Sequence, residues 1–256
     1  MIFDTDTAYA PAPPKRCNLL LHCGSDTISR ERLVNVPTPA PTRTWRPIPH
    51  HRLLGMTLEV LQRENLKIVG EAHGLSHDGQ RYFGLLEVAP TAYETEVHRV
   101  IGLRNSHDKR LSAGLVAGSQ VLVCDNLCFA GEIALARKHT TRILRDLPGN
   151  LQGAVSRLRA FWNEHEQRMQ LYADTGICES HAHHLMIRAV DEGVLAISSL
   201  LKVLRHWREP EHEAFQPRTV WSLQNAFTEA LKGSLDRLPE RTMRLHRLFD
   251  GYCNEA

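Results

Sequence analysis

The chain has 256 residues, of which 31 are Lys or Arg, 29 are Asp or Glu, 42% are hydrophobic and 6% are aromatic. These values are ordinary for a globular protein and exclude collagen-like, coiled-coil and wholly disordered chains. The formal net charge of +2 favours no class of partner, and the length allows a buried core without a metal or disulfide staple.

The sequence also predicts where the protein resides. The uncharged stretch at 111–124 is shorter than the roughly 20 residues of a membrane-spanning helix, so we predict no membrane association. Asp4 and Asp6 stand where a secretory signal needs positive charge, which indicates a cytoplasmic protein. Its six cysteines are then free thiols, and the sequence implies no cofactor and no metal ion.

The first 50 residues are unusually rich in proline, with Pro11 to Pro14 and Pro37 to Pro49 containing most of the 13 prolines of the chain. Because proline fixes φ and lacks an amide donor, residues 1–50 are predicted to form a largely extended or disordered arm. The apolar run at 17–23 is the exception, since it is able to dock as a short strand.

The middle of the chain predicts one helix followed by a sheet. Leucines at 53, 54, 58 and 61 have helical spacing, which indicates a helix over 53–65. Strand-like runs follow at 66–73 and 81–88 around an Asp78-Gly79 turn, and then at 97–104, 111–117 and 120–124. Residues 51–148 are therefore predicted to form a mainly antiparallel sheet of about five strands.

The remainder of the chain, 149–256, reads as a helical subdomain. Asn150 can cap a helix in which Leu151, Val155, Leu158 and Trp162 recur at helical intervals. Further helices are predicted at 182–191, 194–207, 219–232 and 239–250. The predicted fold class is α+β, with the N-terminal sheet packed against the helical C-terminal half.

The segment at 102–109 is the most distinctive source of chemistry, because Asn105, Ser106, His107 and Asp108 follow a predicted strand. Such side chains are able to bind a phosphate, a metal ion or a reacting water. Alternatively, they satisfy the backbone of a turn. Asn126 follows the next buried strand and is a further candidate, whereas Cys124 there is more simply a buried structural thiol.

A basic segment follows at 136–145, with Lys138, His139, Arg142 and Arg145 as candidate phosphate-binding residues. On a helix, Lys138, Arg142 and Arg145 share one face, but a solvated helix face gives a similar pattern. Imidazoles at His181, His183 and His184 suggest either a metal site or a polar helix start capped by Ser180. The sequence lacks the glycine motifs of dinucleotide enzymes and P-loop NTPases and the nucleophile elbow of α/β-hydrolases.

Four motifs in order resemble the phage/plasmid-like proteins of domain-of-unknown-function family 932. They are Gly-Leu-Arg-Asn-Ser-His-Asp-Lys at 102–109, Val-Leu-Val-Cys-Asp-Asn-Leu at 121–127, Arg-Lys-His-Thr at 137–140 and Val-Trp-Ser-Leu-Gln-Asn-Ala-Phe-Thr-Glu at 220–229. The resemblance covers about 53–233 and implies residence on a mobile genetic element, with no settled biochemistry. The polar positions that it matches are Asn105, Ser106, His107, Asp108, Cys124, Asn126 and His139.

Our leading hypothesis is a nucleic-acid-associated accessory protein of a phage, plasmid or integrated element, in recombination or DNA maintenance. Lys138, His139, Arg142 and Arg145 would then contact backbone phosphates, and the architecture is similar to that of ring-forming single-strand annealing proteins, which form homo-oligomers.

Two alternatives remain open, so the sequence does not decide whether the protein is an enzyme. In a metal-dependent hydrolase or nuclease, His107 would be a general base and Asp108 would bind the cation or orient His107. In a protein-binding module, the proline-rich arm would engage a host factor. Both the nucleic-acid hypothesis and the hydrolase hypothesis require the 105–108 loop and the basic segment to meet at one edge of the sheet.

Overall fold

The structure, a computed structural model, describes residues 26–89, 97–121, 126–129, 135–232 and 237–255. The predicted strand at 17–23 and the residue Cys124 lie outside this range. None of the helices within it is long and apolar enough to cross a bilayer. Cys178 and Cys253 are free thiols.

The described strands form one antiparallel sheet, as the sequence predicts, in which β1 to β6 are neighbours in chain order. The strands are β1 (Asp26–Ile28), β2 (Ile68–Ser76), β3 (Arg81–Val88), β4 (Val97–Ser106), β5 (Ala113–Val121), β6 (Asn126–Phe129) and β7 (Leu135–Arg137). The outer edge of β5 is shared, because β7 pairs with its first residues and β6 with its last.

The local sequence predicts the β2–β3 hairpin correctly, whereas the ends of β4 and β5 depend on pairing with neighbouring strands. Asp78 and Gly79 have φ values of 53° and 77°, which suits a tight turn. The predicted strands at 111–117 and 120–124 are instead one strand, β5, because Gly118 and Ser119 continue the pairing with β4. Likewise, β4 continues through residues 105 and 106, which pair with β3.

The helices are α1 (Arg30–Val34), α2 (His50–Arg63), α3 (Ile143–Val155), α4 (Leu158–Asp174), α5 (Glu179–Asp191), α6 (Leu200–Arg208), α7 (Val220–Leu231) and α8 (Leu238–Glu255). Short 3-10 turns span Ile197–Ser199 and Glu213–Phe215. The helix predicted to start at Asn150 is two helices, and the predicted subdomain boundary at 148/149 falls inside α3. Asn150 is internal to α3, where its side-chain amide donates to the Asp146 carbonyl.

Both faces of the sheet are covered, because successive residues of β3, β4 and β5 point to opposite sides. On one face, Leu86, Ile101 and Leu115 belong to the core formed with α2 and α3. On the other face, Phe83 and Val100 belong to the core formed with α5 to α8. The described residues thus form three layers, with the sheet between two sets of helices.

The described part of the proline-rich segment packs onto this body. β1 pairs with β2, and the side chains of Leu33 and Ile48 are fully buried. Residues 26–50 therefore do not form a free extended arm, because these apolar side chains contribute to the core despite the prolines around them.

A hydrogen-bonded network ties α4 to α8 and gives a first prediction. The Tyr172 hydroxyl donates to Asp250 Oδ1 at 2.6 Å, and Arg168 Nε lies 3.2 Å from both oxygens of that carboxylate. We expect Tyr172→Phe to lower the free energy of unfolding by about 1–3 kcal/mol, measured by urea denaturation, because a partly buried charge-assisted hydrogen bond is lost. Tyr252→Phe is the matched control, since its hydroxyl contacts the exposed His181; an equal loss in both variants would contradict the prediction.

Candidate functional site

The candidate site lies at the end of the sheet where β4 finishes and β5 begins. Arg81 pairs with Ser106 across β3 and β4, and Ala113 pairs with Arg137 across β5 and β7. Because β4 and β5 are antiparallel neighbours, the loop after β4 and the basic segment after β7 lie at the same end of the sheet. The structure therefore brings together the two segments that the sequence singled out.

Three buried histidines form the interior of this site, which we call the histidine cluster (His50, His107 and His139). The rings of His50 and His107 are stacked, with centroids 3.8 Å apart and planes 7° apart. His50 begins α2, His107 follows β4 and His139 follows β7, so three different elements contribute to the cluster. All three side chains are at least nine-tenths buried.

Asn105 organises the cluster through its side-chain amide. Its Nδ2 donates to the Ile48 carbonyl at 2.7 Å and to His50 Nδ1 at 2.9 Å. His50 Nδ1 is thus an acceptor, and His50 Nε2 donates to the Gly79 carbonyl at 3.0 Å. His107 Nε2 donates to the same Ile48 carbonyl at 2.9 Å. These bonds place the proton of the neutral His50 ring on Nε2. They also hold the proline-rich segment against the sheet.

Burial keeps the histidine cluster uncharged at neutral pH. Desolvation, reinforced by His107 and His139, lowers the pKa of His50 to about 3. Desolvation and the neighbouring His107 lower the pKa of His139 to about 4. Burial also lowers the pKa of His107, against the opposing effects of the Ile48 hydrogen bond and Asp108. None of the three imidazoles supplies a cation for a phosphate at pH 7.

The residues that the hydrolase hypothesis needs have structural partners. Asp108 Oδ2 accepts from Arg81 Nε at 2.7 Å, and its Oδ1 accepts from the Arg110 backbone amide at 3.0 Å. Ser106 Oγ bonds both the amide and the carbonyl of Leu111, which closes the loop. A general base must reach the proton that it abstracts, whereas His107 is only 4% exposed. This geometry gives the hydrolase hypothesis no support.

His139 lies beneath the surface rather than on it. Its ring stacks with Trp45, with centroids 6.2 Å apart and planes 11° apart. Both ring nitrogens are buried without a hydrogen-bond partner among the described residues. The sequence placed His139 among the phosphate-binding side chains, but the structure gives it a packing role because it is buried and neutral.

The basic side chains around His139 are exposed but do not share a helix. Lys138 lies in the link between β7 and α3, Arg142 directly precedes α3, and Arg145 lies within it. The helix on which these three residues would share a face does not form, because the chain turns at residues 141 and 142 before α3 begins. Arg145 pairs with the adjacent Asp146 at 2.7 Å, which leaves Lys138 and Arg142 as the more available cations of the segment.

Trp45 joins this basic segment to the loop after β4. Lys109 Nζ lies 4.9 Å from the centre of the Trp45 ring, and the Arg46 amide donates to the His139 carbonyl at 3.0 Å. We define the Trp45 surface by its half-buried tryptophan and its exposed cations: Arg43, Trp45, Arg46, Lys109, Lys138 and Arg142. The adjoining carboxylates of Asp108 and Asp146 are paired with arginines, so the Trp45 surface is cationic.

Sequence reasoning missed Arg43, Trp45 and Arg46, because the proline content of the segment suggested a free arm. The signal was nevertheless present, since an aromatic residue flanked by arginines is a feature of nucleic-acid-binding segments.

Other predicted site residues lie elsewhere. Asn126 begins β6 and pairs with Val121, at the opposite end of β5 from Ala113. At about 3.4 Å per residue this separates it from the histidine cluster by about 25 Å. His181 contacts Tyr252 at the protein surface. Among the described residues, no group of three or more His, Cys, Asp or Glu side chains is placed to hold a metal ion.

The comparisons with known proteins identify the family. The family model of the domain of unknown function DUF932 matches residues 40–248. The chain belongs to this family. A comparison with the curated proteins and another with the solved structures found no match. Because the match starts at residue 40, the segment that carries Trp45 is part of the DUF932 domain.

Proposed function

We propose that this DUF932 protein binds the phosphate backbone of nucleic acid through the Trp45 surface. The observation that supports the proposal is the contact of Trp45 with both Lys109 and His139. These contacts bring together the proline-rich segment, the loop after β4 and the segment after β7, and each of these three segments carries exposed cations. Nucleic-acid affinity depends mainly on such cations, because each phosphate that is neutralised releases condensed counterions.

The surface favours backbone recognition over recognition of a particular base sequence. Its cations are exposed lysines and arginines on irregular segments. Within the described residues, these segments present no helix that could enter a groove of the nucleic acid. Phosphate contacts fix the position of a protein on nucleic acid without reading its sequence. We therefore propose an accessory role in recombination or DNA maintenance on a phage, plasmid or integrated element, in line with the resemblance of the sequence motifs to phage/plasmid-like proteins.

A salt series on a double variant tests this proposal. We expect Lys138→Gln combined with Arg142→Gln to weaken binding to a labelled 20-base-pair DNA about tenfold or more at about 50 mM salt, because two phosphate contacts are lost. The slope of log K against log salt should become shallower by about 2, at about 0.9 per contact. Fluorescence anisotropy on duplex and on single-stranded DNA measures both quantities.

The matched control is Lys202→Gln combined with Arg205→Gln on α6. These residues are also exposed, and the substitutions remove the same charge at another surface. The control variant should bind as the wild type does. Absence of wild-type binding at about 50 mM salt, or equal losses in the two double variants, would contradict a role for the Trp45 surface.

A further inference from the structure

A cavity of about 440 Å³ opens on the other face of β4, between the loop that follows this strand and the start of α8. Its lining includes Ser112, one carboxylate, Glu240, and five arginines: Arg104, Arg110, Arg237, Arg241 and Arg244. We call it the arginine cavity. It is distinct from the Trp45 surface, because Arg104 points toward α8, whereas the next residue, Asn105, points toward α2.

Two of the arginines are held in place by the fold. Arg104 Nη1 donates to Glu240 Oε1 at 3.0 Å, which links β4 to α8. Arg244 Nη1 lies 3.2 Å from the Glu192 carbonyl and 3.3 Å from the Gly193 carbonyl. Gly193 has a φ of 67°, and a Cβ at this position would come within 2.9 Å of Arg244 Nη1. The guanidinium groups of Arg104 and Arg244 are thus positioned before any ligand arrives.

Among the described residues, the lining of the cavity carries more positive than negative charge, with five arginines and one glutamate. Arg104 and Arg241 also interact with other groups of the protein. The nearby carboxylates of Glu192 and Asp108 are paired with Arg188 and Arg81. Arg110 and Arg237 are both exposed, and their side chains have no hydrogen-bond or ion-pair partner among the described residues. Like charges held close together repel each other, so a bound anion would relieve this repulsion.

We propose that the arginine cavity binds a phosphomonoester group. Guanidinium groups present planar pairs of N–H donors that match phosphate oxygens, and a terminal phosphate carries nearly two negative charges at pH 7. The volume lies within the usual range for small-molecule sites. The adjoining cavity against Gly84, Gly102 and Gly114 holds only about 20 Å³, roughly one water molecule, and cannot admit a nucleobase. The guanidinium groups of the arginine cavity recognise the phosphate, which a free nucleotide or the 5′ end of a nucleic-acid strand would carry.

Titration calorimetry with 5′-AMP tests the site directly. The full-length protein should bind 5′-AMP and should not bind adenosine, which lacks the phosphate. Arg110→Gln combined with Arg237→Gln should weaken 5′-AMP binding about tenfold or more, because two donor groups are removed from exposed positions where folding is not at risk. The Lys202→Gln and Arg205→Gln double variant is again the control, with affinity for 5′-AMP unchanged.

A second pair of ligands distinguishes the two sources of phosphate. If strand ends are the ligand, a 5′-phosphorylated 12-nucleotide DNA should bind more tightly than the same strand with a 5′-hydroxyl, and the Arg110/Arg237 double variant should remove the difference. If the protein prefers 5′-AMP to adenosine but binds the two strands equally, the site is assigned to nucleotides. If neither phosphate improves binding over its phosphate-free counterpart, or if the double variant binds both as the wild type does, the inference is overturned. Binding of the 5′-hydroxyl strand reports separately on the Trp45 surface.

Discussion

Acidification from pH 7 to pH 5 is expected to remove about 4 kcal/mol from the free energy of unfolding through His50 and His139 alone. A histidine has a pKa of about 6.5 in the unfolded chain, whereas burial lowers the folded-state pKa of these two residues to about 3 and about 4. The unfolded state therefore binds more protons below about pH 6.5. Stability is complete above that pH and falls by about 1.4 kcal/mol per pH unit for each histidine as the pH decreases toward the folded-state values.

Urea denaturation at pH 7, 6 and 5 measures this loss, and His139→Phe isolates one of its sources. Phenylalanine preserves a flat ring against Trp45 but does not titrate, so the variant should lose about 2 kcal/mol less than the wild type between pH 7 and 5. At pH 7 the substitution should cost little, because neither His139 nitrogen has a described hydrogen-bond partner to lose. A wild-type stability that is flat from pH 7 to 5 would show that the cluster is not buried and neutral.

Asn105→Ala is expected to lower the free energy of unfolding by about 2–4 kcal/mol at pH 7. The side chain of Asn105 is fully buried, and its amide connects the Ile48 carbonyl with His50 Nδ1. Alanine would leave the His50 acceptor unsatisfied and would open a small void beside the stacked imidazoles. A buried polar group without its partner costs about 1–3 kcal/mol, and the lost packing adds to this.

Thermal and urea denaturation of the variant test this value, with Asn163→Ala as the matched control. Asn163 is an exposed residue inside α4, where alanine is the better helix former, so the control should be neutral or slightly stabilising. For a chain of this size, about 3 kcal/mol corresponds to a fall in Tm of roughly 6–12 °C. Equal stabilities of Asn105→Ala and the wild type would mean that Asn105 does not anchor the proline-rich segment.

Features that depend on local sequence were predictable. The hairpin around Asp78 and Gly79 follows from residues that tolerate a positive φ, and α2 follows from the spacing of its leucines. The α+β class was equally accessible, because strand-like runs give way to helical periodicity after about residue 140. The ends of β4 and β5 were less predictable, since pairing with neighbouring strands extends them through residues with little β-propensity.

The interior of the candidate site was beyond prediction for a different reason. Asn105 and His107 were recognised as unusual, but their partners His50 and Ile48 lie more than 50 residues earlier, in or next to a segment that its prolines made look unstructured. The arginine cavity likewise joins Arg104 to Glu240 across 136 residues. Such contacts arise from tertiary packing, for which neither composition nor periodicity provides a signal.

The two cores that cover the sheet are also completed at different times during synthesis. The buried residues that pack with Leu86 and Ile101 are all made by residue 162, whereas the core around Phe83 and Val100 also includes Phe227 and Phe249. At about 5–20 residues per second, the roughly 130 residues after β5 take about 6 to 25 seconds to translate. For that period a nascent chain lacks part of the apolar core that covers this face of the sheet in the folded protein.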